Sequence, residues 1–174
     1  MRILGVDPGT RATGFGVVDV EGSVLRCVAH GVIRPRADSL ALRLRAIQIE
    51  LQAVISEHRP DAAAVENVFA FRNVRSALTL GHARGVALAA LAHGELDAGE
   101  YSPSQVKAAV VGYGAASKSQ VQLMVQRLLG LSEAPRPDAA DALAIAICHG
   151  HASATQRSRA VAQSRDSAAR GSDA

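Results

Sequence analysis

Four carboxylates stand where the chain changes element rather than on ordinary solvated faces. Asp7 closes the apolar run RILGVD and is followed at once by Pro8 and Gly9. Glu66 closes a second short run, DAAAVE. Asp138 and Asp141 open DAADALAIAI, three residues apart and therefore on one helical face. If the strands ending in Asp7 and Glu66 are neighbours, both acids lie at one end of the sheet, and a helix beginning near Pro137 can bring the other two over them. Four converging carboxylates repel one another unless a cation sits between them. All-oxygen ligation suits a hard ion such as Mg²⁺ or Mn²⁺. Singly, each acid has a plainer reading: Asp138 as a charge favoured by a helix N-terminus, Glu66 as the ion-pair partner of an arginine, Asp7 as a turn cap.

Two stretches lack acids altogether. Residues 67–94 carry Arg72, Arg75 and Arg84, and residues 101–132 carry both lysines of the chain, Lys107 and Lys118. Such charges neutralise phosphates, although composition alone is equally met by a basic solvated face. Phe69, one of three phenylalanines, follows Glu66 in a loop, where it can stack on an unpaired base or, with Phe71, cover the helix behind it. Two other patterns fail their context. GYGAASKS approaches a phosphate loop, but Ser117 replaces the second glycine and a helix-like segment precedes it. Cys148, His149 and His151 are metal-ligand types, yet His149 lies eleven residues past Asp138, about 16 Å along a helix, and reads as a helix end.

The elements that must position the acids are legible. RILGVD, ATGFGVVDV and SVLRCVAHGVI read as three strands in a meander, turning at PGTR and at Glu21-Gly22. Leu40, Leu44, Ile47, Leu51, Val54 and Ile55 recur at helical spacing up to about His58, and Pro60 closes that helix. Strand four is DAAAVE, residues 74–93 form a helix rich in Gly and Ala, and AGEYS is a brief fifth strand. Ser102 with Gln105, and Ser117 with Gln120, are capping signatures for two further helices. The last helix is expected from about Pro137 to about His149. This order predicts an α/β fold with a five-stranded mixed sheet, a three-strand antiparallel meander plus two parallel strands, flanked by helices. Within the helix over 74–93, Gly81 and Gly85 stand four apart near Ala77, Ala89 and Ala92. That stripe suits close approach of a second helix, or of the sheet.

Length and composition agree. The chain has 174 residues, 48% of them hydrophobic and 3% aromatic, so a core of Ala, Val, Leu and Ile is expected in one domain. No apolar run is long enough for a membrane span, no signal peptide is visible, and Cys27 and Cys148 form no disulfide framework; the expected location is cytoplasmic, with no membrane partner. A net charge of +3 favours an anionic partner. Residues 151–174, rich in Ser, Ala and Arg and without apolar periodicity, read as a disordered basic tail, leaving residues 1–150 as the domain.

GVDPGTRATGFGVVD, VENVFAF, SALTLGHARG, VKAAVVGYGAASKSQV and DAADALAIAI, in this order and spacing, closely resemble the RuvC-type Holliday junction resolvases; the resemblance covers residues 1 to about 150. It implies a ribonuclease H-like fold and a homodimer that cuts four-way DNA junctions in homologous recombination and repair, partnered by a branch-migration helicase complex of the RuvA–RuvB type. By the resemblance Asp7, Glu66, Asp138 and Asp141 match the catalytic, metal-holding acids. Some members carry histidine at the fourth position, where this chain has Asp141. Lys107 and Lys118 match basic residues beside the cleft, with Lys118 at the reacting phosphate, and Phe69 an aromatic that probes the junction centre. Arg72 and Arg75 join the expected DNA contacts. Two-metal chemistry would activate water for in-line attack and stabilise the departing 3′ oxygen, leaving a 5′ phosphate and a 3′ hydroxyl at paired, symmetric nicks.

Other classes remain in view. GVDPGT also resembles the first phosphate loop of actin-like ATPases and sugar kinases, but those need a second lobe. An RNA-cutting nuclease of the same superfamily is the nearer rival. A non-catalytic junction-binding module would keep the basic stretches but not need all four acids.

Overall fold

A computed structural model describes residues 1–67 and 73–171, with side chains as far as Thr155. The chain runs β1 (Arg2–Asp7), β2 (Thr13–Glu21), β3 (Val24–Ile33), α1 (Leu40–His58), β4 (Ala62–Glu66), α2 (Val74–His93), β5 (Ala98–Tyr101), α3 (Pro103–Val111), α4 (Lys118–Leu128) and α5 (Pro137–Gly171). The sheet order is β3-β2-β1-β4-β5. β1, β2 and β3 form the expected antiparallel meander, turning at Gly22 with φ +61°. β4 and β5 pair in parallel on the other side of β1.

Strand alternation sorts the side chains onto two faces. Leu4 and Val6 of β1 join Ala63 and Val65 of β4 in a core under α1 and α2. Ile3 and Ala64 belong to a second core with α3, α4 and α5. The same alternation puts Asp7 and Glu66, two residues beyond Gly5 and Ala64, on the α5 side. The register Val6↔Val65 makes these acids neighbours at the end of the sheet.

α5 lies unusually close to the strands, because glycines clear its path. A methyl added at Gly5 would meet the Ala142 carbonyl, one at Gly14 the Asp138 carbonyl, and one at Gly16 would approach Leu143 to 2.8 Å. Ala139, Ala140, Ala142, Ala144 and Ala146 are correspondingly small and buried. Both capping boxes form, at Ser102–Gln105 and Ser117–Gln120.

One expectation changes, and one open reading narrows. α5 does not end near His149: its backbone stays helical to Gly171, through the segment expected to be a disordered tail. Between Gly150 and Gly171 the sequence has neither Gly nor Pro and is rich in Ala and Arg, both good helix formers. The missing apolar periodicity therefore argued against packing rather than against helix. The glycine stripe of α2 also does not face the sheet. Ala83, Ala87, Ala90 and Leu91 do so, whereas Gly81 and Gly85 have no neighbour within 4 Å of an added methyl.

Candidate active site

Three of the four acids and both lysines meet in one cleft. Asp7, Glu66, Asp141, Lys107 and Lys118 line a cavity of about 260 Å³ floored by Val106 and Val121 and flanked by Pro103. Asp7 reaches it as the last residue of the central strand, where backbone motion is small. Glu66 arrives from the parallel neighbour, and its place is held by backbone pairing beyond the strand: the Asn67 N–H donates to the Tyr101 carbonyl at 2.7 Å. Lys107 comes from α3, Lys118 from the first turn of α4, and Asp141 from the second turn of α5.

Electrostatics mark the cleft as strained for anions. The Asp7 carboxyl is pushed up from 3.8 to about 7, first by burial and then by the charges of Asp141 and Glu66; Lys118 opposes this and Asp138 adds to it. Glu66 is raised by burial and by Asp141, with Lys118 and Lys107 pulling the other way. Lys118 is raised chiefly by Asp141 and sits 3.3 Å from its Oδ2.

Asp138 does not line the cavity. It pairs with Arg34 Nη2 at 3.3 Å, an arginine one residue past β3. That contact was not foreseen; its only signal is the position of Arg34 at a strand end, and nothing local to it points to α5. As placed, no three His, Cys, Asp or Glu side chains among the described residues form a ready-made coordination group, because Asp138 and Asp141 are turned to Arg34 and Lys118. Both are partly exposed, with side chains 36% and 29% accessible, and a change of rotamer is inexpensive there. The donor set is all carboxylate oxygen and mutually repulsive, which fits a hard divalent cation.

The remaining expected residues divide. Arg75 is exposed on the first turn of α2, away from the cleft. Arg84 points inward to Glu100 at 2.6 Å and toward the Glu66 carbonyl, so its charge is matched internally rather than offered to phosphate. Phe69, Phe71 and Arg72 lie outside the described residues. GYGAASKS follows α3, with Gly112 as its left-handed cap, and so is no phosphate loop after a strand. His149 sits mid-helix rather than at a helix end, its Nδ1 3.0 Å from the Tyr101 hydroxyl.

Comparison with known proteins decides the family. Residues 3–149 match the family model described as crossover junction endodeoxyribonuclease RuvC. The chain belongs to the RuvC family. The RuvC of Bordetella avium is 58% identical over 152 residues, 87% of this chain and 84% of that protein. The structure of Thermus thermophilus RuvC in complex with a Holliday junction substrate superposes with a TM-score of 0.84 at 37% identity, covering 90% of this chain and 96% of that one. The yeast mitochondrial Holliday junction resolvase Ydc2, at 14% identity and TM-score 0.59 over 92% of this chain and 85% of its own, shares the fold. In this RuvC-family chain the five-stranded ribonuclease H-like sheet thus carries Asp7 and Glu66 at the end where α5 crosses. No helix among the described residues is long and apolar enough to cross a membrane.

Proposed function

We propose that this chain is an endonuclease that resolves four-way DNA junctions with divalent metal, as a homodimer making two symmetric nicks. Membership of the RuvC family supports the reaction class. The observation that carries the site is the gathering of Asp7, Glu66 and Asp141 with Lys107 and Lys118 around one cleft. Asp7, Glu66, Asp138 and Asp141 hold the metal, with Mg²⁺ as the natural ion, Mn²⁺ as a substitute, and two ions per site. When bound, such ions activate water and stabilise a departing 3′ oxygen, which leaves 5′-phosphate and 3′-hydroxyl ends. Lys118 neutralises the cut phosphate, and Lys107 steadies the strand on the α3 side. Asp7 and Glu66 fix the centre because both stand on paired strands, so little reorganisation is needed when the substrate arrives.

The dimer reading is supported by the outer face of α2. Val74 and Leu78 are 76% and 62% exposed and continue into the open Gly81 and Gly85, so one apolar, small-residue stripe has no partner within the described residues of the chain. A two-fold axis there matches the symmetry of the junction. Phe69, in the segment joining β4 to this helix, is assigned to the junction centre, and Arg72 and Arg75 to contacts with the DNA. Residues 1–150 form the nuclease domain, the basic segment 151–174 is dispensable for cutting, and the protein works in the cytoplasm beside a branch-migration complex.

The test is cleavage of a mobile four-way junction beside linear duplex, RNA–DNA hybrid and structured RNA, with Mg²⁺ and with chelator. Paired nicking of the junction alone, lost with chelator, is expected. Equal cutting of structured RNA would replace this reading with an RNA nuclease, and binding without cutting would reduce it to a junction-binding module. Gly85→Leu should weaken dimerisation, read by sedimentation, and lower paired nicking more than single nicking.

A further inference from the structure

The imidazole of His149 meets the sheet from α5, well beyond the cleft. It stands eight residues past Asp141, about 12 Å along the helix axis. Its Nδ1 lies 3.0 Å from the Tyr101 hydroxyl, and the two rings meet edge to face, with centroids 5.8 Å apart and planes at 76°. The strand makes room for this contact: a methyl at Gly99 would collide with Nδ1 and Cε1 of His149. Both residues are partly buried. Burial lowers His149 from its ordinary value, against the charge of Asp97, and raises the Tyr101 hydroxyl. At neutral pH the pair is therefore uncharged, and each partner satisfies a polar atom that burial would otherwise leave costly.

Tyr101 is the point where three cleft-building elements join. It is the last residue of β5, and the register places it beside Glu66 on the same face of the sheet. Its carbonyl accepts the Asn67 N–H at 2.7 Å, which holds the chain immediately past Glu66. The next residue, Ser102, caps α3: its N–H donates to Gln105 Oε1 at 2.8 Å, and its hydroxyl accepts the Gln105 N–H. Lys107 follows on that helix. The Tyr101 hydroxyl is then fastened to α5, which carries Asp141. One residue thus ties together the carriers of Glu66, Lys107 and Asp141, all of which line the cleft.

We propose that Tyr101 and His149 are positioning residues for the cutting reaction: their hydrogen bond fixes α5 against the Glu66 end of the sheet, and so sets the spacing at which Glu66 and Asp141 meet a divalent cation. Neither side chain lines the cleft. The glycines and alanines beneath α5 give close approach but little interlocking, whereas a hydrogen bond is directional and stops the helix from sliding along the furrow. The assignment rests on the junction-resolving reading above.

The experiment uses the full-length protein. Tyr101→Phe removes only the hydroxyl, His149→Leu removes the nitrogen, and His149→Asn keeps an amide at the Nδ1 position. Single-turnover cutting at saturating junction with Mg²⁺ should fall about tenfold in Tyr101→Phe and in His149→Leu, and Mn²⁺ affinity without DNA, read by calorimetry, about threefold. Junction affinity in chelator should stay within about twofold, because neither side chain brings charge to a phosphate. The double variant should be no slower than the slower single, as expected when both substitutions remove one interaction. His149→Asn should recover most of the rate. Circular dichroism melts give the folded fraction to which each rate is referred. A folded Tyr101→Phe with unchanged rate and Mn²⁺ affinity would overturn the positioning role, as would losses that multiply in the double variant; in either case wild type still resolves the junction. Wild type that leaves the junction uncut with Mg²⁺ would overturn the underlying reading, and this one with it.

Discussion

Arg84 Nη2 lies 2.6 Å from Glu100 Oε2, the shortest ion pair among the described residues, and Arg84 Nε reaches the Glu66 carbonyl at 3.4 Å. One guanidinium thus ties α2 to the ends of β4 and β5, beside a cleft acid. Arg84→Met should slow junction cutting about tenfold while junction affinity stays within twofold, read by single-turnover cleavage and by binding in chelator. The pair is partly exposed, so the loss of stability should stay near 1 kcal/mol. A parallel fall in affinity would show that Arg84 contacts DNA after all.

Asp7→Asn should reduce cutting at least a thousandfold, about 4 kcal/mol in the barrier. The same substitution carries a stability signature. Asp7 has a folded value near 7 against 3.8. Between those values the folded chain keeps a proton that the unfolded chain releases, so stability falls as pH rises through this window. In chelator, Asp7→Asn should therefore melt higher than wild type at pH 8, by an amount up to about 4 kcal/mol, and the two should converge below pH 4. Added Mg²⁺ should stabilise wild type more than the variant. A variant less stable than wild type at pH 8 would contradict the strained-acid account.

Lys118→Ala should slow cutting ten- to a hundredfold with a smaller loss of binding. Lys118 pulls the Asp7 and Glu66 carboxyls downward, so its removal should move the acid limb of the pH–rate profile to higher pH. Arg36→Gln, on an exposed arginine after β3, should change neither rate nor profile. Equal effects from both would make the Lys118 loss general electrostatics.

Gly14→Ala places a methyl against the Asp138 carbonyl. Lifting α5 should cost about 2 kcal/mol, roughly 4–8 °C in melting temperature, and lower cutting beyond the loss of folded protein. Gly22→Ala, at a turn with open space but positive φ, should cost stability without touching activity. Circular dichroism melts and specific activity of the folded fraction separate the two.

Removing residues 156–174 should leave the fold and metal-dependent cutting intact, since the cleft is built entirely from earlier residues. An unfolded truncation would show that the far part of α5 packs on the domain.

Much of this was legible because local chemistry and global architecture agree. Strand ends carry Asp7 and Glu66, and Ser-x-x-Gln signatures start α3 and α4 where expected. The parallel neighbourhood of β1 and β4, on which the convergence of acids depends, is where the sequence argument had to assume a pairing that the register now supplies. What was not legible is non-local or ambiguous in period. Arg34 meets Asp138 across 104 residues, and no motif announces it. Arg84 reads as a basic residue in an acid-free stretch until β5 brings Glu100 beneath it. The glycines of α2 point outward and those of β1 and β2 inward, and glycine itself carries no sign of which face it serves. The far end of α5 was missed because a polar, Ala-rich segment has the same composition as a tail and as a solvated helix.

The order of segments in the cleft has a consequence for synthesis. Asp7 leaves the ribosome first and Glu66 later, but the carboxylate opposite them rides on the last element of the fold, and the helix that carries it covers the glycine furrow of β1 and β2. A nascent chain can pair its strands long before α5 emerges, and until then Asp7 has no Asp141 across from it. Translation therefore finishes the sheet before the proposed cutting centre, and a prematurely terminated product lacking α5 has neither Asp138 nor Asp141 to set beside Asp7 and Glu66.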